Sequence, residues 1–422
     1  MKKLFALVLV MLLVFSATAM AEEKIHMVAP MSGYSQDQID AAYAKDTGLT
    51  GTDNFRIGVT LGMLEDYPEY DVEWVDWGWS ETLDSKQRSL FAAGEIPDVV
   101  SGETFIPTYA YEGLLAPLPQ DIIDMVYPSF LWYDENGDAV AVAYRTSIFL
   151  LWYNKDLMAA AGLDPETPPT TWEEWKQMSD AITAAGNGEF YGGGIPTFPH
   201  AGGALRATPF FRQNGTDFAI DGQENLSDPA LQETLQFIRD MNANFPEGLG
   251  NGADESPLWD AFNKGTIAFA VDGGWRQAEC INNNLNWGVC PLPTRDGTVG
   301  NCLVGTVYLA VPKDGAHVEQ AFDIIREVLK AENDIHWLEE GSCPGNREVI
   351  DNEELYADSV GLTLMMDGLK NGTYSGVAVF SKNDSAIWEI INRQVLQRLT
   401  MTDDPIETIC ADAQAQIQML QQ

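Results

Sequence analysis

The sequence predicts an α/β fold arranged as two lobes, and three observations support this prediction. The chain has 422 residues, of which 45% are hydrophobic and 10% aromatic, so it is long enough for two well-packed domains. Between Tyr70 and Val100 a strand, a helix and a second strand follow one another, which is typical of an open sheet flanked by helices. The stretch 148–176 joins a buried strand to two helices, and further elements are predicted on both sides of it.

The N-terminal segment is predicted to be a secretory signal peptide covering residues 1–21. Two lysines precede an apolar run from Leu4 to Phe15, and Ala19-Met20-Ala21 has the small-x-small pattern of a cleavage site. No later stretch is apolar over enough residues to span a bilayer. We therefore expect an exported protein in the periplasm or at the outer face of the cell envelope.

The first lobe is predicted to begin with the strand 25–29 and a helix at 55–66. Alternating apolar residues at 70–75 and the apolar run at 97–100 predict two further strands. Polar loops follow these strands, and ligands of open α/β sheets bind at the carboxyl ends of strands. The sequence assigns no role to residues 30–55.

A hairpin is predicted to lead the chain into the stretch between the lobes. Asn136-Gly137 lies between two apolar runs, and both residues tolerate the positive φ that a tight turn requires. Residues 148–152 are continuously apolar, as expected of a strand buried on both faces of a sheet. Thr171 and Glu174 have the spacing of a capping box at the start of the next long helix.

The remaining elements continue the α/β pattern. A strand is predicted at 266–271, and the turn Asp272-Gly273-Gly274-Trp275 presents an indole at its end. A strand at 307–311 and a helix at 316–330 repeat the α/β unit. Two amphipathic helices, beginning near Ile387 and Ile406, close the chain.

Charge and composition exclude several classes of function. The formal net charge of −39 opposes binding to nucleic acid and to anionic lipid. The four histidines are scattered, no cysteine pair has zinc-ligand spacing, and no nucleophile elbow or Walker loop is present. We therefore expect no catalytic residues, no metal and no cofactor.

The five cysteines allow disulfides in an exported protein, but their pairing stays open. They are Cys280, Cys290, Cys302, Cys343 and Cys410. An odd number leaves at least one thiol unpaired, and the first three are close enough in sequence for one bridge among them.

Aromatic residues in predicted loops at strand ends suggest carbohydrate binding. Sugar rings present apolar C–H faces that pack on indoles, while their hydroxyls need polar partners. The candidates are Trp77, Trp79, Trp275 and Tyr308, with core packing as the alternative for each. Tryptophans on predicted helices are assigned to the core, and these are Trp172, Trp175, Trp259 and Trp337. Arg145 and Arg347 could bind hydroxyls or a carboxylate, with a structural salt bridge as the alternative.

Four stretches together give the chain a family resemblance. In order, they are AAGEIPDVVSGE with YEGLLAPL, LLWYNKDLMAAAGL with PPTTWEEW, AFNKGTIAFAVDGGW, and WGVCPLPTRDG with VGTVYLAVPKDG. With these stretches the chain resembles the extracellular solute-binding proteins of bacterial ABC importers, in the carbohydrate class. The resemblance implies two α/β lobes of the periplasmic-binding-protein type, each an open sheet flanked by helices, joined by crossover hinge strands and closing over a ligand.

The resemblance also implies lobe boundaries and ligand contacts. The first lobe is expected to comprise 22–147 and 306–342, and the second 148–305 and 343–422. The positions that match ligand contacts in similar proteins, together with the aromatic candidates above, give one set of expected site residues. That set is Glu103, Thr104, Arg145, Ser147, Gly274, Trp275, Thr306, Arg347, Trp79 and Tyr308.

The function expected from this sequence is binding without catalysis. A monomeric protein would close over a sugar or oligosaccharide and deliver it to an ABC permease in the membrane. The alternatives are an exported glycan-degrading enzyme and a receptor for a cationic ligand such as a polyamine. Two carboxylates facing each other across the cleft would favour the enzyme, and several carboxylates lining the cleft would favour the polyamine receptor.

Overall fold

A computed structural model describes residues 24–103, 105–253, 255–298, 305–370, 380 and 383–420. The predicted signal peptide at 1–21, Thr104 and Cys302 lie outside the described residues. Among the described helices, none combines the length and the apolar character needed to cross a membrane.

Helices and short strands alternate along the described chain. The strands are Ile25–Pro30, Tyr70–Val75, Val100–Gly102, Leu131–Tyr133, Ala139–Thr146, Phe149–Asn154, Ala219–Ile220, Gln223–Glu224, Phe269–Gly273, Trp287–Pro291, Val307–Ala310 and Cys343–Pro344. The α-helices are Gln36–Tyr43, Gly51–Asp66, Ser80–Ala93, Ile106–Tyr111, Gln120–Met125, Lys155–Ala160, Trp172–Gly186, Ala201–Gln213, Pro229–Asn242, Ser256–Asn263, Gln277–Asn282, Val318–Val328, Ala331–Asp334, Arg347–Asp351, Val360–Lys370, Asp384–Ile390, Arg398–Met401 and Ile406–Leu420. Short 3₁₀ turns at Pro128–Phe130, Gly274–Arg276, Ile335–Leu338 and Glu353–Leu355 and a π-helical segment at Ile391–Gln397 complete the set.

Two sheets organise the first of two bodies, which contains the N-terminal strands and two strands from later in the chain. Ile25–Pro30 and Tyr70–Val75 pair in parallel, and the amide of Asp98 donates to the carbonyl of Val28. The larger sheet is antiparallel, with Ala139–Thr146 between Val307–Ala310 and Cys343–Pro344.

The predicted hairpin is confirmed within this larger sheet. Leu131–Tyr133 pairs antiparallel with Ala139–Thr146, with Leu131 opposite Val142. Gly137 has a φ of 84°, a value that glycine adopts without the steric cost other residues pay. The turn residues therefore act as the sequence indicates.

A first hydrophobic core forms around these sheets. It contains Met27, Val142 and Leu309, and also Ile350 and Met366. The segment 343–370 was expected in the second lobe, but its buried side chains pack in this first core. The reason is that Cys343–Pro344 pairs with Arg145 and Thr146, which returns the chain to the first sheet.

A second body is built on a three-stranded antiparallel sheet. Phe149–Asn154 is its central strand, between Trp287–Pro291 and Phe269–Gly273, and all six of its residues are buried. Phe149 and Leu151 contribute to a second core, whereas Trp152 belongs to a smaller cluster. The prediction of a strand buried on both faces is confirmed.

The capped helix that follows is also confirmed. The amide of Glu174 donates to the Thr171 hydroxyl over 3.1 Å, and the amide of Thr171 donates to the Glu174 carboxylate over 3.1 Å. Trp175 on this helix is fully buried in the second core. The tryptophans assigned to the core, namely Trp172, Trp175, Trp259 and Trp337, are all buried.

The chain passes between the two bodies at paired backbone segments. Ser147 and Gly305 exchange two hydrogen bonds, with Ser147 N donating over 3.1 Å and Gly305 N donating over 2.6 Å. A third passage lies between Leu369, which packs in the first core, and Ile387, which packs in the second. The crossings at Ser147 and at Gly305 therefore run side by side.

The described cysteines are free thiols. Cys280, Cys290, Cys343 and Cys410 are all buried and form no disulfide. Burial raises the pKa of the Cys290 thiol to about 12, so it stays protonated at neutral pH. The bridge considered for Cys280 and Cys290 is therefore absent between these two residues.

Candidate functional site

Where the chain first crosses between the bodies, at Ser147, it contacts the glycine turn at the end of the strand Phe269–Gly273. Ser147 is buried, and its hydroxyl accepts a hydrogen bond from the amide of Gly274 over 3.0 Å. Beside it, the hydroxyls of Thr146 and Thr306 lie 3.0 Å apart. Three of the residues expected in the site, namely Ser147, Gly274 and Thr306, are thus brought together at the crossings.

The backbones of the two bodies touch at this turn. A Cβ atom on Gly274 would lie 2.0 Å from the carbonyl oxygen of Gly341. Gly341 has a φ of 71° and lies between Trp337 and Cys343, which belong to the first core. Only a residue without a side chain fits at Gly274 in this arrangement.

The indole of Trp275 is held over the turn. Its ring centre lies 5.7 Å from that of Phe149, in a nearly perpendicular arrangement at 85°. A Cβ atom on Gly273 would lie 2.0 Å from this indole, so glycine is needed for the close approach. Trp275 is half-buried and packs against the second core.

A buried ionic network fixes the strand end that carries Trp275. Asp272 accepts hydrogen bonds from Arg206 and Arg276, both over 2.9 Å, and from the amide of Gly273 over 2.8 Å. Burial alone would raise the pKa of Asp272, but Arg206 and Arg276 hold that pKa below its ordinary value. The carboxylate stays charged, and the turn is anchored to the Ala201–Gln213 helix.

On the first body, Arg145 lies between two indoles. Its guanidinium carbon is 4.8 Å from the ring centre of Trp337 and 5.7 Å from that of Trp79. Trp79 is 39% exposed, whereas Trp337 is buried. Burial lowers the pKa of Arg145, and the carboxylate of Glu103 opposes that shift. One group is therefore formed by Trp79, Glu103 and Arg145. Arg145 lies two residues before Ser147 in the sequence.

Two of the expected ligand contacts occupy scaffold positions instead. Tyr308 is buried, packs edge-on against Trp132 at 6.2 Å, and has its pKa raised to about 12 by burial. Arg347 packs on the ring of Tyr127 at 4.8 Å and donates to the carbonyl of Val126 over 3.1 Å. Both side chains hold the first body together, because their strand or helix turns them towards the core.

A cavity of about 500 Å³ opens between the two bodies. Glu81 and Phe105 line it from the first body, and His200, Ala204 and Trp388 line it from the second. Trp79 and Glu103 each lie two residues from a lining residue, which places this cavity beside the group around Arg145. The cavity lies between the two bodies, so a molecule that fills it would contact both.

Hydrogen bonds span this cleft. The amide of Ala201 donates to the carboxylate of Glu81 over 3.1 Å. The hydroxyl of Thr108 donates to the carboxylate of Asp384 over 3.2 Å. Each bond joins an element of the first body to an element of the second. The bodies are therefore hydrogen-bonded to each other at residues that line the cavity.

Within the described ranges, no group of three or more histidine, cysteine, aspartate or glutamate side chains could hold a metal ion. Sequence reasoning missed Trp337 and Gly341 as neighbours of the site. Gly341 carried a weak signal, as a glycine beside the predicted lobe boundary at 342, but Trp337 meets the site only through the fold.

Comparisons with known proteins place the chain among binding proteins. Residues 60–335 match the family model described as bacterial extracellular solute-binding protein. The sn-glycerol-3-phosphate-binding periplasmic protein UgpB of Pectobacterium atrosepticum is 26% identical over 215 residues, which are 48% of this chain and 47% of the relative. The chain therefore spans about half the length of this curated relative.

Two solved structures share the fold. MalE3 of T. maritima, bound to maltose, superposes with a TM-score of 0.75 at 20% identity, covering 94% of this chain and 99% of the other. UgpB from Mycobacterium tuberculosis, in complex with glycerophosphocholine, gives a TM-score of 0.74 at 19% identity, covering 94% of this chain and 98% of the other.

Proposed function

Because the chain belongs to the bacterial extracellular solute-binding protein family, we propose that it is the exported binding component of an ABC importer. It binds a sugar or oligosaccharide in the cleft between its lobes and delivers it to a permease as a monomer. The observation that carries this proposal is the cavity between the two bodies, which the indole of Trp388 lines. Two further indoles stand at strand ends, that of Trp79, which is exposed and lies two residues before the lining residue Glu81, and that of Trp275, which is half-buried. Indoles offer flat apolar surfaces to sugar rings.

The names of similar proteins support a polyhydroxylated ligand. The relative from Pectobacterium binds sn-glycerol 3-phosphate, and the T. maritima structure holds maltose. Both ligands combine short carbon skeletons with several oxygen atoms. We propose the same class of ligand for this chain, and binding rather than chemical conversion.

The lobes that close over the ligand follow the two cores. We propose that the first lobe comprises residues up to 147 and 306–370, and that the second comprises 148–305 and the chain from 383 onward. The side-by-side crossings at Ser147 and Gly305 form the hinge between them. A ligand that contacts both walls favours the closed form, because that form alone supplies all of its contacts.

Titration of intrinsic tryptophan fluorescence with a panel of sugars tests this proposal. We expect a saturable change with at least one monosaccharide, oligosaccharide or polyol phosphate, confirmed by isothermal titration calorimetry. Chromatography of the ligand after long incubation should show no product. The absence of any binding across the panel would contradict the proposal, and a cleaved glycan would favour the enzyme instead.

A further inference from the structure

One helix face of the second body lines the cavity between the two bodies. Asp384 and Trp388 lie four residues apart on the helix Asp384–Ile390, and Asn392 follows after four more, in the π-helical segment Ile391–Gln397. Side chains four residues apart on a helix are neighbours, and all three of these residues line the cavity. A carboxylate, an indole and an amide are thus presented in one row to a molecule that fills it.

The carboxylate of this row is buried without a cation. Asp384 is 5% exposed, and it accepts hydrogen bonds from the amide of Phe380 over 2.7 Å and from the hydroxyl of Thr108 over 3.2 Å. Among the described residues, no lysine, arginine or histidine forms an ion pair with it. Burial raises the pKa of Asp384 to about 6, which leaves most of the group ionised at neutral pH. A buried charge without a partner is costly, so a bound cation would stabilise it.

The arginine that acts on Asp384 through space is bonded to other carboxylates. The guanidinium of Arg88 donates to Asp84 over 2.9 Å and pairs with Glu112 over 3.1 Å. Asp84 also accepts from the hydroxyl of Tyr109 over 2.8 Å. The negative charge of Asp84 raises the pKa of Asp384 by more than Arg88 lowers it. Arg88 therefore serves two other carboxylates, and the charge of Asp384 stays uncompensated within the described part of the chain.

The other two members of the row carry unpaired polar atoms. Asn392 is 2% exposed, and its Oδ1 atom has no hydrogen-bond partner among the described residues. The Nε1 atom of Trp388 is unpaired in the same way. This indole is held between Phe218 and Phe380, whose ring centres lie 5.7 Å and 5.6 Å from its own. Since proteins pair most of their buried polar groups, unpaired atoms on residues that line a cavity point to a polar occupant.

The other carboxylates that line the cavity show how much positive charge it can bind. Asp84 is bonded to an arginine, and Glu389 pairs with Arg393 over 3.4 Å. Glu81 is exposed, so water solvates its charge. Only Asp384, among the lining carboxylates, is both buried and without a cation. One such charge suits a single ammonium group, whereas a polyamine carries several.

We propose that Asp384 is the counterion of a ligand ammonium group, and that the cavity therefore binds an amino sugar. This inference rests on the proposed function and narrows its ligand class to saccharides with a free amine. The amine donates charge-assisted hydrogen bonds to Asp384, and a ring hydroxyl donates to the amide oxygen of Asn392. The indole of Trp388 attracts the cation and offers the ring an apolar surface. The volume of about 500 Å³ lies within the range of small-molecule sites, about 300–1,000 Å³.

Calorimetry with matched sugars at pH 7 tests this inference on the mature full chain. One set is D-glucosamine, D-glucose and N-acetyl-D-glucosamine, and the second is the same three forms of galactose. A third set compares the disaccharide of glucosamine with cellobiose. We expect the amine of at least one set to bind at least tenfold more tightly than its neutral forms. A smaller preference in every set would overturn the inference, while binding of any neutral sugar would leave the proposed function intact.

A charge-removing variant assigns the preference to the buried carboxylate. Asp384→Asn should weaken the amino sugar at least tenfold, and any neutral sugar that binds should change less than threefold. The same variant should raise the melting temperature of the unliganded protein at pH 7, because it removes an uncompensated buried charge. A loss of affinity in a more stable protein cannot result from misfolding.

The matched control is Asp412→Asn, which removes the same charge from the last helix. Asp412 is exposed and pairs with Arg398 over 2.9 Å, so its removal should leave the affinities for amino and neutral sugars unchanged. If this control weakens the amino sugar as much as Asp384→Asn does, net charge sets the preference and the assignment to Asp384 is overturned.

A second substitution keeps the test decisive if the asparagine variant fails to fold. Asp384→Ser keeps an oxygen that can accept from the amide of Phe380 but carries no charge, and it should weaken the amino sugar to the same degree. Unchanged binding of the amino sugar in either folded variant would overturn the inference. Spermidine should bind at least tenfold more weakly than the best amino sugar, and tighter binding of spermidine would also overturn it. If no sugar binds at all, the proposed function fails together with the inference.

Discussion

The contact between Gly274 and Gly341 provides a direct test of lobe closure. In Gly274→Ala, the new Cβ would lie 2.0 Å from the carbonyl oxygen of Gly341, whereas ordinary contact begins at 3.4 Å. The two backbones must separate by about 1.4 Å at this point. Overpacking of this kind costs about 1–3 kcal/mol. If the contact exists only when the lobes are closed, that cost appears as a loss of ligand affinity of about 5- to 150-fold.

The assay compares ligand affinity with stability in the absence of ligand. Gly274→Ala should weaken binding in calorimetry, and the melting temperature of the unliganded protein should stay within about 2 °C of wild type. Gly305→Ala is the matched control, because its Cβ would meet no atom closer than 3.6 Å. An equal loss of stability with and without ligand would refute the reasoning, since the contact would then persist in both forms.

Three further predictions concern stability, ligand contact and pH. Trp175→Ala should destabilise the protein by about 3–5 kcal/mol in chemical denaturation, because the indole is fully buried, and it should leave affinity unchanged. Trp275→Ala should instead weaken ligand binding about tenfold or more with a smaller loss of stability, and the reverse pattern would contradict this division of roles. Burial raises the pKa of Asp384 to about 6, so the native state holds more protons than the unfolded state between about pH 4 and 6. The stabilisation that the raised pKa of Asp384 provides is lost as the pH rises through this window, so Asp384→Asn should gain about 2 kcal/mol relative to wild type between pH 4.5 and 7. A constant difference across the pH range would refute this.

Local signals in the sequence predicted local structure well. The capping box at Thr171 and Glu174 and the turn at Asn136-Gly137 depend on residues a few positions apart, so the sequence alone determines them. Residues 30–55 carried the same kind of signal, since Ser35 with Gln38 and Thr50 with Asp53 form capping boxes. They were left without a role because their apolar pattern is weak.

Contacts between distant segments could not be predicted in this way. Phe55 stacks on Tyr144 at 5.8 Å only because the helix Gly51–Asp66 packs near the end of the strand Ala139–Thr146, and no spacing in the sequence records that neighbourhood. Tyr308 was expected in the site as an aromatic residue near a strand end, and Arg347 because the family resemblance marks the crossover near it, yet both side chains pack in the first body. The direction in which a side chain points depends on register, which strand pairing decides.

The hinge contact between Ser147 and Gly305 has a consequence for how such a protein diversifies. Both of its hydrogen bonds join backbone atoms alone, so the crossing geometry does not depend on the side chains beside it. Under the proposed function, substitutions at neighbouring positions such as Arg145 and Thr306 would alter which solute is recognised without altering the path along which the lobes move. Specificity can therefore evolve separately from motion, and a permease that reads the closed shape would accept the new solute carrier unchanged.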